Sequence, residues 1–340
     1  MLMKVYEIGA QDGLAALRLG ERPSPIPGPG QAVLRVRAVC LNHRDLLVLS
    51  GAYGARRPET RVPASDGVGE VLAIGEGVTG VKIGDRATCA HFVSWSGGAF
   101  SMSAFAHDLG ITHDGWLAEE ILVPAAALIR IPDGLSDEQA VALPAAGVTA
   151  WNALVEFAKI RAGETVLLLG TGGVSILALQ IAKLCGARVA ITSSSDRKLA
   201  AARNLGAEIT INYRTTPDWP AALMAATAGA GADIVVETGG FATLSQSIAA
   251  AAVNGRIALI GALAGPPSAG LPNFSTIIGK NLTLRGITEG SRAMLAALLR
   301  AADQGGLPPV IDRVFPFEEA ADAYAYLKSG EHVGKIMVRV

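Results

Sequence analysis

The chain has 340 residues, half of them hydrophobic and 17% charged, with 40 glycines, 5% aromatics and a formal net charge of -1. At roughly 150 residues per domain this length suggests two domains, and the apolar content excludes a disordered chain. The balance of 29 Lys and Arg against 30 Asp and Glu leaves no electrostatic footprint for nucleic acid or an anionic membrane, so a partner must be recognised by a local site.

The first residues, Met-Leu-Met-Lys-Val-Tyr-Glu, reach an acid before any apolar run of signal length, so no secretory segment is expected. Cys40, Cys89 and Cys185 form neither an even framework nor a metal-finger spacing, which fits a reducing compartment. The most apolar stretch, 165–182, is interrupted by Gly170, Gly172 and Gly173 and reads as strand, turn and helix rather than a membrane span. A soluble, cytoplasmic protein is expected.

In chain order, residues 32–38 alternate as a half-buried strand behind a Pro/Gly cluster at 23–30, and residues 69–75 form a second strand. The first 125 residues thus read as a β-rich domain with long loops. Ser136 is expected to cap a helix with an acidic first turn, and 145–158 continues in helical period. Strands at 165–169, 188–192, 209–211, 234–237, 257–260 and 282–284 then alternate with helices at 175–185, 198–205, 221–227 and 244–252. Continuous apolar strands alternating with helices imply a parallel sheet covered on both faces. A helix at 294–302 and strands at 313–315 and 335–340 close the chain.

Gly170-Thr171-Gly172-Gly173-Val174-Ser175 lies directly after an apolar strand and before a helix. Gly170 permits the tight turn, Gly172 lets backbone N–H groups approach a pyrophosphate, and the helix start favours its charge. Ser175 replaces the usual third Gly or Ala. After the second strand, Thr192-Ser193-Ser194-Ser195-Asp196-Arg197-Lys198 offers hydroxyls and two cations, which suit a 2′-phosphate and favour NADP(H) over NAD(H). The competing reading makes Ser195 a helix cap, Asp196 part of its first turn, and Arg197 and Lys198 solvated.

Gly67-Val68-Gly69-Glu70-Val71, Gly75-Glu76-Gly77-Val78, Gly84-Asp85-Arg86, the phosphate loop and the terminal Gly334-Lys335-Ile336 together resemble the medium-chain dehydrogenase/reductases. The resemblance implies an α/β fold in which a Rossmann doubly wound parallel sheet, residues 129–288, is inserted into a GroES-like β-rich catalytic domain made of 1–128 and 289–340. It further implies that the zinc ligands of the family's alcohol dehydrogenases would fall on Asn42, Ser65 and Ala145. None of these is a usual zinc ligand, so no zinc is expected. The structural-zinc lobe would fall at 90–112, where no cysteine stands. His43, His91, His107, His113 and His332 show no H-x-x-x-H pair.

What remains is similar to the zinc-independent quinone oxidoreductases and enone reductases. That similarity implies a pocket lined by Asn42 and Tyr53. It also implies a 2′-phosphate site at Ser194, Lys198 and Tyr213, and contacts to the cofactor from Thr149, Gly239, Gly261, Leu263, Gly286 and Ser291, with Ser193 and His43 beside them. Asn42 or Tyr53 would donate to the developing oxygen. The acceptor would be a small-molecule quinone or enone, its pocket including the loop 92–115, and the relatives' habit implies a homodimer. Two alternatives stand beside this. One is an alcohol dehydrogenase or carbonyl reductase with a relay through Asp45, Ser65, Asp66 and His43; the other is an NADPH-binding protein without turnover.

Overall fold

An apolar strand buried on both faces needs helices above and below it, and the central part of the chain meets that need. The computed structural model describes residues 1–53, 57–261 and 272–340. It divides into one unit of residues 1–148 and 290–340 and another of residues 149–289. In the latter, six parallel strands lie in the order Ile209–Asn212, Arg188–Ser193, Thr165–Leu169, Ala232–Glu237, Ala251–Leu259, Thr283–Gly286. The first strand in sequence is central and buried along its whole length, and the order reverses beside it. Ligands of open parallel sheets bind at such a reversal, beyond the carboxyl ends of the strands.

The other unit is built from both chain ends. A seven-stranded sheet runs Ile311–Pro316, Lys335–Arg339, Gln31–Leu41, Asp66–Ile74, Arg86–Thr88, Ile129–Arg130, with Glu120–Pro124 also paired to Gln31–Leu41. Only the first pair is parallel. The register sets Ile336 opposite Leu41 and Cys40 opposite Asp66, so residues 42, 66 and 335 meet at one end of the sheet.

Two sequence expectations shift. Residues 129–148, which the resemblance places with the parallel sheet, pack in the other unit. Ile129–Arg130 pairs with Arg86–Thr88, and the helix Asp137–Val141 lies on the strands Gln31–Leu41 and Asp66–Ile74. The helical run 145–158 is also irregular: π turns at Leu143–Gly147 and Asn152–Phe157 flank the α-helical Val148–Trp151. Pro144, which has no N–H to give the ladder, stands at the start of the first π turn.

Gly67 shows how tightly the β-rich core is closed. A Cβ built there would lie 2.2 Å from Cδ2 of the fully buried Trp116. Gly67→Ala is therefore expected to lower stability by about 1–3 kcal/mol through overpacking. Gly80→Ala, where a Cβ meets nothing within 4 Å, should stay within about 0.5 kcal/mol. Urea titration of the two variants checks both values.

Candidate functional site

At the meeting point of the three strands, Asn42 ends the strand Gln31–Leu41 and begins the helix His43–Leu49. Its backbone N–H donates to Asp45 Oδ2 at 2.7 Å. Its side chain turns back into the sheet instead: Nδ2 donates to Ser65 Oγ at 3.2 Å, and Oδ1 accepts from Lys335 Nζ at 2.5 Å. Asp66, fully buried, accepts the Ala145 N–H at 3.1 Å and stands 4.0 Å from the same ammonium. The structure thus brings Asn42, Asp45, Ser65, Asp66 and Ala145 together around a buried lysine.

Burial pushes the Asp45 carboxyl up to about 7, against the opposing pull of Arg44 and the Asn42 N–H. Burial likewise raises the Cys40 and Cys89 thiols to about 12, so both are inert at neutral pH.

Arg44 points from the same helix to the loop 91–115. Its Nη2 donates to both oxygens of Asp108 at 2.8 and 2.7 Å, its Nη1 lies 2.5 Å from His91 Nδ1, and its guanidinium sits 5.0 Å from the Tyr53 ring centroid. Burial alone would raise the Asp108 carboxyl, but the charges of His91 and Arg44 hold it below the usual range. Tyr53 is half-buried and His43 exposed. His107 Nδ1 and His113 Nε2 approach to 3.2 Å, a pair six residues apart that a spacing rule does not find.

In the parallel-sheet unit the phosphate loop has the expected form. Gly170 adopts φ +70°, and Gly172 precedes the helix Gly173–Leu184, whose start carries no side-chain cap. A Cβ at Gly170 or Gly172 would meet nothing within 4 Å, so both glycines face open space. Thr171 is buried and Val174 half-buried, while Ser175 Oγ donates inward to Leu169 O at 2.7 Å, tying helix to strand.

The pairing Asn212↔Ser193 and the bond from Tyr213 N–H to Ser193 O at 3.0 Å set Ser193, Ser194 and Tyr213 side by side, with Lys198 in the first helical turn of Asp196–Asn204. Tyr213 is 43% exposed. Ser195 occupies the N-cap position, but its side chain makes no capping bond. The Asp196 carboxylate accepts from Asn212 Nδ2 at 2.8 Å.

Sequence reasoning missed two buried charges. Glu237 accepts the N–H groups of Gly239 and Gly240 at 2.7 and 3.0 Å and the Thr243 hydroxyl at 2.7 Å, while Ser247 donates to its other oxygen. It therefore shapes the turn after its strand. Lys335 was visible only as part of a motif. Thr149 is buried, Gly261 N–H donates to Glu237 O at 3.1 Å, and Gly286 ends the edge strand. Ser291, in the β-rich unit, caps the helix Arg292–Gly305. Leu263 lies outside the described residues.

A catalytic zinc would have to be held by a set of an amide oxygen already bonded to an ammonium, a hydroxyl, one carboxylate and an alanine. Tetrahedral zinc takes thiolate, imidazole or carboxylate, and these residues do not fit it. Among the described residues no group of three or more His, Cys, Asp or Glu is placed to hold a metal ion. No described helix is long and apolar enough to cross a membrane.

Residues 28–133 match the family described as alcohol dehydrogenase GroES-like domain, and residues 173–304 the family described as zinc-binding dehydrogenase. A zinc-type alcohol dehydrogenase-like protein of Schizosaccharomyces pombe is 40% identical over 318 residues, covering 92% of this chain and 91% of its own. An acryloyl-coenzyme A reductase of Metallosphaera sedula is 30% identical over 331 residues, covering 94% and 95%. The crystal structure of an NAD-dependent alcohol dehydrogenase superposes with a TM-score of 0.91 at 35% identity, covering 99% of this chain and 100% of that one.

The raised Asp45 group makes stability depend on pH in a stated direction. Between about pH 4 and 7 the folded chain keeps a proton that the unfolded chain has lost, so stability falls as pH rises through that window. Asp45→Asn, which still offers an oxygen to the Asn42 N–H, should remove this component. Wild type should lose about 2 kcal/mol more than the variant between pH 5 and 7, read by denaturant titration at each pH.

Proposed function

The chain belongs to the medium-chain dehydrogenase/reductase superfamily of NAD(P)H-dependent oxidoreductases, and from that premise we propose that it reduces a quinone or an α,β-unsaturated carbonyl with NADPH and without zinc. The observation that carries this reading is the set Asn42, Ser65, Ala145 at the positions where the resemblance puts metal ligands, closed from behind by the Lys335 ammonium at 2.5 Å from Asn42 Oδ1. A plain ketone needs a Lewis acid or a well-placed proton donor to polarise it, whereas an enone or quinone is the easier hydride acceptor and asks only for hydrogen-bond donors at the developing oxygen. The name of the Metallosphaera relative supports the same class, because acryloyl-coenzyme A is an α,β-unsaturated thioester.

NADPH, when bound, supplies the hydride from C4 of its nicotinamide. The uncapped helix start after Gly172 would hold its pyrophosphate, and Ser193, Ser194, Lys198 and Tyr213 its 2′-phosphate. The Tyr53 hydroxyl, or solvent, would provide the proton.

A second reading, an alcohol dehydrogenase or carbonyl reductase, is favoured by the names of the Schizosaccharomyces relative and the superposed crystal structure. It would use the buried Asp45, with its carboxyl near 7, as a proton relay. NADPH oxidation over a panel of enones, quinones and saturated ketones separates the two. Enones or quinones should turn over at least about 100-fold faster than saturated ketones, with no loss to a chelator. Stoichiometric zinc together with chelator-sensitive activity overturns the proposal, and a chain that binds NADPH tightly but oxidises it with none of the acceptors is a binding protein.

The cofactor assignment has its own test. Lys198→Ala should raise KM for NADPH roughly tenfold and leave KM for NADH unchanged, as expected for loss of one charge-assisted phosphate contact. Equal KM values for the two cofactors in wild type overturn it.

A further inference from the structure

Lys335 is the first residue of the last strand and 3% exposed. Its Nζ donates to Leu41 O at 2.8 Å and to Asn42 Oδ1 at 2.5 Å, and stands 4.0 Å from Asp66 Oδ2. An asparagine amide has nearly the same shape either way round, and only its partners decide which end carries the oxygen. An ammonium can only donate. It therefore holds the Asn42 oxygen toward itself and, with the Cys40 carbonyl 3.5 Å from Nδ2 on the other end, turns the NH2 toward Ser65, where Nδ2 donates to Oγ at 3.2 Å.

Ser65 is 1% exposed, and its hydroxyl donates to no group among the described residues. With one lone pair taken by Asn42, its proton points away from Asn42 and finds no acceptor among the described residues. A reversed amide would draw that proton inward and abolish the donor.

We infer that Lys335 is a positioning residue which, through Asn42, fixes the Ser65 hydroxyl as the hydrogen-bond donor to the carbonyl or quinone oxygen of the bound acceptor. This rests on the reading that the chain reduces such an acceptor. The hydride comes from NADPH and the proton from Tyr53 or solvent, while Ser65 donates a hydrogen bond throughout and is not consumed. The role first assigned to Asn42, donation to substrate, passes to Ser65, since the Asn42 amide is already committed on both ends.

Steady-state kinetics with NADPH and the acceptor that wild type turns over fastest test the chain of contacts. Ser65→Ala should lower kcat about 100-fold, the usual effect of removing one donor to a developing oxyanion, with KM for NADPH unchanged. Lys335→Met should cost about as much, and the double variant no more than either alone, because the two act as one unit. Lys335→Arg, which keeps a donor cation, should recover most of the loss.

Lys335→Met leaves Asp66 without its cation and can fail to fold, so Asn42→Asp is the second variant. Its carboxylate keeps the contact to Lys335 but accepts from Ser65 instead of donating, and kcat should fall as for Ser65→Ala with stability retained. Wild-type kcat in Ser65→Ala or in Asn42→Asp, or losses that add in the double variant, overturn the inference.

One readout is independent of turnover: the Asn42 side-chain amide protons, followed by NMR, should exchange slowly in wild type and fast in Lys335→Met or Lys335→Gln. Unchanged exchange overturns the inference even if no acceptor is found. If wild type prefers saturated ketones, the proposed substrate class falls while the non-additivity of Lys335 and Ser65 still decides this inference.

Discussion

An ammonium group in a protein interior costs several kcal/mol of lost hydration unless its protons find acceptors, and Lys335 meets that condition at one place only, where three strands end together. Leu41 O and Asn42 Oδ1 belong to the strand Gln31–Leu41 and its exit, Asp66 to the neighbouring strand, and the lysine to the last strand of the chain. A slip of one residue in either pairing would turn one of these groups to the opposite face of the sheet. The register Ile336↔Leu41 and Cys40↔Asp66 is thus held by the same contact that organises the polar site, and a chain lacking its last strand would lose both.

The same geometry separates the two carboxylates nearby. Asp66 faces the ammonium and the Ala145 N–H, whereas for Asp45 the charge of Arg44, whose guanidinium is committed to Asp108, the Asn42 N–H and the charge of Lys335 do not offset burial. Desolvation therefore governs Asp45 and leaves it near neutrality in its titration. The site thus sets one carboxylate against a fixed cation and leaves the other carboxyl at about 7.

Much of the architecture was legible in the sequence, and the reason is physical. The continuous apolar run Thr165–Leu169 followed by glycines has few ways to be buried other than a central parallel strand and a phosphate turn. The positions Asn42, Ser65, Asp66 and Ala145 were found through the resemblance, and the structure gathers them. The direction of the Asn42 amide was not legible, because it depends on Lys335, 293 residues away in sequence, and no local pattern reports such a contact. Glu237 was missed for a similar reason: a glutamate at a strand end looks solvated until the turn that folds four donors around it is known. The place of the helical part of 129–148 is not legible, because a helical period says that a face is buried but not against which sheet.

The loop 91–115 is held in place by buried side chains of its own. Without cysteines to staple it, the loop is held by a buried Arg44–Asp108 pair with His91 against it, and by the rings of Phe92, Trp95, Phe100 and Phe105, whose centroids lie 5.1 to 5.9 Å apart. Paired buried ions contribute little net stability compared with apolar packing, but removing one partner strands the other. Their value here is positional. Arg44 stands on the helix that begins at Asn42, so the loop and the polar site share a rigid element, and a change in the loop that disturbs Asp108 acts on Asn42 through one turn of helix. The loop can therefore vary in its exposed residues, such as Met102, while the buried Arg44–Asp108 contact and the helix that carries it stay fixed.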